Sequence, residues 1–318
     1  DGARRHADGG GDRGPRAVTA LGDAPPLAWE RLLEAGEIDE RLVLTSAEEA
    51  RAAATVAPPT DLAPELVAAL ARAGIERPYS HQLDALAAAR TGDVIVTSGT
   101  ASGKSLSFNL PVLDAIARDP KARALYVYPT KALAQDQARK LSELGLPQLR
   151  HAIYDGDTPR DDRPAIRRRS NLVLTNPDML SLGVLAHHKG WGDFLANLEW
   201  VVVDEAHTYR GVFGSHVANV LRRLRRVARV YGSEPRFVLA SATVSDPATH
   251  ASRLVGMPVT AVTQDGSPRG ALTFALWEPA TEDGHRRSAT TEAAQIMAEL
   301  VLRGVQVVAF ARSRAGAE

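Results

Sequence analysis

Val94-Ile95-Val96-Thr97-Ser98-Gly99-Thr100-Ala101-Ser102-Gly103-Lys104-Ser105 opens with a β-branched apolar run, passes through small residues and ends where a helix can begin. This is the layout of a phosphate-binding loop between a buried strand and a helix. Small residues let backbone N–H groups converge on a triphosphate, Lys104 can reach its β and γ oxygens, and the Ser105 hydroxyl can hold a magnesium ion. A helix starting near Lys104 adds its positive N-terminal end. The strict pattern wants glycine where Ser98 stands, and a βα turn without a ligand is the alternative reading.

Composition bounds what such a loop can belong to. A chain of 318 residues corresponds to two domains, or to one and a part. With 44% hydrophobic and 24% charged residues it has the make-up of an ordinary globular protein with a sizeable core. Lysine plus arginine equal aspartate plus glutamate at 38 each, so no global basic field marks a nucleic-acid binder and any such groove must be a local patch. The absence of cysteine excludes disulfides and thiolate zinc sites within these residues and fits a reducing cytoplasm. The first thirty residues hold no apolar segment of signal-peptide length, and no run approaches the roughly eighteen apolar residues that span a bilayer. The expectation is a soluble, untargeted, cytoplasmic protein.

Residues Asp1 to Pro26 have the Gly, Arg, Asp and Pro content of a loosely attached segment. Trp29 to Val43 and Ser46 to Thr55 read as helices, so residues 1–60 are expected to form an appendage. The organised core is expected over 61–262. There, apolar runs at Val94–Thr97, Ala124–Tyr128, Leu172–Thr175, Trp200–Val203 and Phe237–Ala240 alternate with helical stretches. That alternation implies βαβ units, a mostly parallel sheet with helices on both faces, and a ligand site at the carboxyl ends of the strands.

Several of those strand ends carry polar side chains. Trp200–Val203 runs into Asp204-Glu205-Ala206-His207, where Asp204 can hold a metal and Glu205 can deprotonate an attacking water. Phe237–Ala240 delivers Ser241-Ala242-Thr243, hydroxyls that serve equally as helix caps. Upstream, Tyr79-Ser80-His81-Gln82 precedes a helix, and the Gln82 amide offers the donor and acceptor pair that adenine requires; its plainer reading is a helix start capped by Ser80. Arg167-Arg168-Arg169 and Arg222-Arg223-Leu224-Arg225-Arg226 read as solvated faces of amphipathic helices rather than as nucleic-acid patches.

Taken together with Pro129-Thr130-Lys131-Ala132-Leu133 and Thr175-Asn176-Pro177-Asp178-Met179-Leu180, these motifs stand in the order found in superfamily 2 helicases of the DEAD/DEAH-box group. Tyr154–Pro159, His207–His216 and Asp265-Gly266-Ser267-Pro268-Arg269-Gly270 resemble the bacterial MrfA and SftH branch, close to the fungal Hrq-type, RecQ-like DNA helicases. The resemblance covers about Leu62 to Glu318.

It implies a RecA-like sheet with ATP and Mg2+ as cofactors. Tyr79 and Gln82 then read adenine, Gly99, Thr100, Ala101, Ser102, Gly103, Lys104 and Ser105 cradle the phosphates, and Asp204 and Glu205 act on metal and water. By the same resemblance His207, Ser241 and Thr243 couple the nucleotide to the strand-binding side. Thr130, Lys131, Thr175 and Asn176 grip single-stranded DNA through its backbone, a mode of contact without sequence preference.

Residues 263–318, with strands expected at Thr273–Trp277 and Val305–Phe310 and a helix at Ala289–Leu302, resemble the opening of a second RecA-like domain, incomplete here. The resemblance places the arginine fingers, further strand-gripping motifs and a zinc region beyond Glu318, so the chain alone is expected to hydrolyse ATP slowly and to unwind nothing. The expected activity is that of an ATP-dependent DNA helicase or translocase, with a repair role implied only by the resemblance. An RNA-directed remodeller stays open, because phosphate contacts do not read the 2′-OH, as does a non-hydrolysing ATP-binding clamp. Oligomeric state has no signature in the sequence.

Overall fold

A computed structural model describes residues 28–99, 101–282 and 285–313. The chain divides into two compact units, one of Ala50–Gly270 and one built from the segments that flank it. Strands longer than two residues are, in chain order, β1 Leu42–Glu48, β2 Asp93–Thr97, β3 Arg123–Val127, β4 His151–Ile153, β5 Leu172–Thr175, β6 Leu198–Val203, β7 Arg236–Ser241, β8 Val259–Val262 and β9 Leu272–Trp277.

In the Ala50–Gly270 unit, seven of these form one parallel sheet in the order β4-β5-β3-β6-β7-β2-β8. Parallel strands covered by helices on both faces are continuously apolar, which is why the central five were visible in the sequence. On one face Ile95, Leu125, Val127, Val173, Val201 and Leu239 pack with Trp191, Phe194 and the helix Gly211–Val230. On the other, Val94, Tyr126, Leu174, Val202 and Val238 pack with the helices Pro64–Arg72 and Lys104–Arg118 through Leu66, Leu70, Phe108, Leu110 and Leu113. Register brings the carboxyl ends level: Thr97 pairs with Ser241, Val127 with both Thr175 and Val203, and Val203 with Leu239. Every motif that leaves a strand therefore leaves from the same edge.

Strands β4 and β8 were not expected. They lie at the two margins of the sheet and are only partly buried, so neither carries the apolar run that marks a central strand.

In the flanking unit, the first helix is Ala28–Ile38, shorter than the expected Trp29–Val43. The helix expected over Ser46–Thr55 is absent. Leu42–Glu48 is instead a strand paired antiparallel with β9, from Leu42↔Trp277 to Glu48↔Leu272. Beyond it, in the central unit, Arg51 and Thr55 make isolated bridges to Arg269 and Tyr79. By compactness this unit runs from Ala50 to Gly270. The expected strand Leu272–Trp277 and helix Ala289–Leu302 are present. Val305–Phe310 forms no strand, since nothing among the described residues pairs with it. The segment Asp1–Pro26 lies outside the described residues.

One arginine of the Arg222–Arg226 run departs from the solvated face expected of it. Arg225 is largely buried, lies 4.4 Å over the Phe237 ring and ion-pairs with Asp93, whose other oxygen accepts the Phe237 N–H at 2.8 Å. Removing one member of a buried pair strands the other charge. Asp93→Ala is therefore expected to lower stability by about 3 kcal/mol, read as a lower urea midpoint, and the double change with Arg225→Met should recover part of that loss.

Candidate active site

The phosphate-type loop leaves β2, whose five residues are all buried. At its base the Ser98 and Ser102 hydroxyls, both buried, hydrogen-bond at 2.6 Å. The serine found in place of glycine thus closes the loop with its own side chain. Ala101 and Gly103 take φ of +59° and +73°, the left-handed region, and Gly103 leads directly into the helix Lys104–Arg118. Thr100 lies outside the described residues. Lys104 forms no ion pair among the described residues and, with Ser105, starts that helix half-buried at the loop.

Gln82 reaches the loop from the helix Ser80–Ala89. Its Nε2 donates to the Gly103 carbonyl at 2.9 Å, and its Oε1 accepts the Tyr79 N–H at 2.8 Å. Gln82, not Ser80, therefore caps its own helix while holding the loop. A Cβ on Gly103 would stand 2.8 Å from that Nε2, so glycine is required by space as well as by φ. Beside these groups opens a cavity of about 620 Å³ lined by Arg77, Tyr79, Gln82, Gly103, Ser105 and Lys140. It has the volume of a small-molecule site.

Two strands away, β6 delivers the acids. The Asp204 N–H donates to the Val127 carbonyl at 3.0 Å, and Asp204 Oδ1 accepts the Glu205 N–H at 2.8 Å. Burial pushes the Asp204 carboxyl up to about 6, with the Glu205 hydrogen bond opposing and the Glu205 charge adding to the rise. Glu205 sits at φ +51°, a strained setting for a side-chain-bearing residue that is found where function demands it. His207 Nδ1 lies 3.3 Å from Glu205 Oε2 and accepts the Ala242 N–H at 3.2 Å. It thereby touches both the acid pair and the Ser241–Thr243 stretch. Ser241 is fully buried and Thr243 exposed. The hydroxyls of Ser241, Tyr128 and Tyr209 have no partner among the described residues.

A model of the DEAD/DEAH box helicase family matches residues 79–251. The chain belongs to this family. It is 44% identical over 278 residues to an uncharacterized ATP-dependent helicase, YprA, of Bacillus subtilis, covering 85% of this chain and 37% of that protein. It is 40% identical over 262 residues to the ATP-dependent helicase HRQ1 of Saccharomyces cerevisiae, covering 79% of this chain and 24% of that one. Among solved structures, the DUF1998 helicase MrfA bound to DNA superposes with a TM-score of 0.86 at 41% identity, over 90% of this chain and 42% of that one. The chain thus spans well under half the length of these relatives.

Within the helicase frame, the strand-gripping candidates divide. Thr130 is exposed and caps the helix Lys131–Leu144 through Leu133 N–H at 3.4 Å, and exposed Lys131 pairs with Asp157 at 2.6 Å. Asn176 Oδ1 caps the next turn by accepting the Met179 N–H at 2.9 Å. Thr175 is buried: its hydroxyl donates to the Tyr154 carbonyl at 2.7 Å and its own carbonyl accepts the Tyr128 N–H.

Sequence reasoning did not assign a role to Tyr128, Tyr209 or Asp265. The two tyrosines were hidden as apolar core, although burial and the Asp204 charge together raise both phenols. Asp265 Oδ2 accepts the Gly99 N–H at 3.1 Å across 166 residues of chain, a distance over which no local pattern operates.

The folded chain favours protonated Asp204, so ionisation there opposes folding; the penalty is complete above pH about 6 and fades as pH falls through the ordinary carboxylate range. Asp204→Asn keeps the acceptor for Glu205 N–H and removes the charge. It is expected to be more stable than wild type by about 2 kcal/mol at pH 7.5, with the difference shrinking towards pH 4 in urea titrations at both values.

Proposed function

We propose that this chain binds and hydrolyses ATP as the nucleotide-handling part of a DNA-directed, superfamily 2 helicase or translocase. The observation that carries the reading is the shared strand edge: the loop after β2 and the acid pair after β6 leave the sheet at the same end with only β7 between them, and the Lys104 charge acts on Asp204. Lys104 supplies an uncompensated cation to the phosphates, Gln82 and Tyr79 border the cavity for the base, and Glu205, oriented by its left-handed backbone, takes the proton of the attacking water. His207, in reach of Glu205 and of Ala242, relays the state of that site towards Ser241 and Thr243.

No group of three or more His, Cys, Asp or Glu side chains is arranged to hold a metal among the described residues. Two protein oxygens, from Ser105 and Asp204, suit Mg2+, which takes one or two carboxylate or hydroxyl oxygens and leaves its other positions to phosphates and water. Ser105 and Asp204 would hold it, and it would neutralise charge developing on the transferred phosphoryl group.

Single-stranded DNA is the proposed partner, met through Thr130, Lys131 and Asn176, and DNA is favoured over RNA by the likeness to a helicase solved on DNA. A pure ATP-dependent clamp has no use for Glu205. No helix among the described residues is long and apolar enough to cross a membrane, and a cysteine-free, ATP-consuming enzyme on DNA suits the reducing cytoplasm.

Glu205→Gln should leave ATP affinity within about twofold while slowing single-turnover hydrolysis at least about a hundredfold, measured by release of labelled phosphate. Lys104→Ala should instead weaken ATP binding itself, in fluorescent-nucleotide titration, by about tenfold or more. Stimulation of turnover by single-stranded DNA and by RNA of equal length, compared side by side, tests the choice of strand; greater stimulation by RNA would reverse it.

A further inference from the structure

The stretch Asp265-Gly266-Ser267-Pro268-Arg269-Gly270 closes the central unit, and its first two residues each hold a different part of the nucleotide site. Asp265 Oδ2 accepts the Gly99 N–H at 3.1 Å, while Oδ1 accepts the Ser267 N–H at 2.9 Å and fixes the turn. Gly266 N–H donates to His81 Nδ1 at 3.2 Å, and its carbonyl accepts the Ala54 N–H at 2.9 Å. The Ala54 carbonyl in turn accepts the Ser80 N–H at 2.8 Å. Space is as tight as the hydrogen bonding: a Cβ on Gly266 would stand 2.2 Å from Ser80 Oγ.

The phosphate loop is consequently gripped at both limbs, Gly99 by Asp265 and Gly103 by Gln82. Both grips belong to one frame, because His81, fastened to Gly266, is the neighbour of Gln82. A carboxylate beside a phosphate loop opposes the anion meant to bind there. Arg51, whose guanidinium lies 3.5 Å from Asp265 Oδ2 and also donates to the Ser267 carbonyl at 3.1 Å, offsets that charge. What remains is a directional hydrogen bond of fixed length.

We propose that Asp265 and Gly266 act as a ruler that sets the spacing between the base-reading helix and the phosphate loop, making them positioning residues for the preference for ATP over other triphosphates. The inference rests on the ATP-site reading above. Base and phosphates are recognised together only when both sets of groups are held at one separation, and holding them there turns two weak contacts into one strong one. Loosening the frame leaves each half able to bind but out of step with the other.

The test is a competition titration of Mg2+-ATP, Mg2+-GTP and Mg2+-tripolyphosphate against a fluorescent nucleotide, on this chain and on Asp265→Ala, Asp265→Asn and Asp265→Glu. Asp265→Ala should weaken ATP about tenfold while GTP and tripolyphosphate change by less than about threefold. Asp265→Asn, which keeps an acceptor for Gly99 N–H, should restore most of the ATP preference. Asp265→Glu keeps charge and acceptor but lengthens the arm, and should lower the ATP-to-GTP ratio; it also serves if the alanine variant does not fold. Equal weakening of all three ligands in Asp265→Ala would overturn the ruler and leave Asp265 as a prop for the loop alone. An unchanged ATP-to-GTP ratio in Asp265→Glu, or an Asp265→Asn as impaired as Asp265→Ala, would overturn it too. Failure of the wild type to bind ATP, or undiminished binding by Lys104→Ala, would overturn the ATP-site reading and the ruler with it. Intact wild-type binding that is lost in Lys104→Ala leaves the ATP site standing, so that the Asp265 variants then bear on the ruler alone.

Discussion

The site depends on strands β3 and β6 ending at the same height. Val127 pairs with Val203, and the next amide, that of Asp204, donates to the Val127 carbonyl. A single further residue of parallel pairing thus carries the ladder past the last apolar side chain and plants a carboxylate at the half-buried edge of the sheet. The raised proton affinity of Asp204 is the direct result. A carboxyl whose ionisation burial disfavours gains from a nearby cation, which is the setting the proposed metal role would use.

Strain gathers at the same edge. Among the described residues three that carry side chains adopt left-handed backbone, Glu40 in the flanking unit and Ala101 and Glu205 here, each at a cost of about 1 kcal/mol or more. Ala101 turns the loop after β2 and Glu205 turns the acid pair after β6, so two of the three fall on the segments proposed to meet one ligand. The buried sheet behind them, with its near-zero exposure from Val94 to Val96 and from Val201 to Val203, supplies the stability that tolerates this.

Legibility followed burial. The five central strands were readable because both of their faces are covered, which forces an unbroken apolar run. At the margins β4 and β8 lose one neighbour and some cover, and with them the pattern. The Ala- and Glu-rich stretch from Ser46 to Thr55 has good helix propensity, yet the pairing of Leu42–Glu48 with Leu272–Trp277 decides its first part and the hydrogen bonds of Arg51 and Ala54 to the 266–269 turn decide the rest. The positions of Lys104 and Ser105 at the start of the helix after β2, and of Asp204 and Glu205 at the end of β6, were legible because local strand-turn-helix order fixes them. The Ser98–Ser102 hydroxyl contact had no signal in the sequence, because it forms only once the loop closes. The bond of the Thr175 hydroxyl to the Tyr154 carbonyl was equally hidden, since the last residue of a strand can point to either side.

Where the central unit begins and where it ends, the backbone is stitched to itself: Arg51 and Arg269 exchange both amide bonds, and Ala54 joins Gly266. Entry and exit therefore leave side by side, as in a module that can be set into another chain without parting its ends.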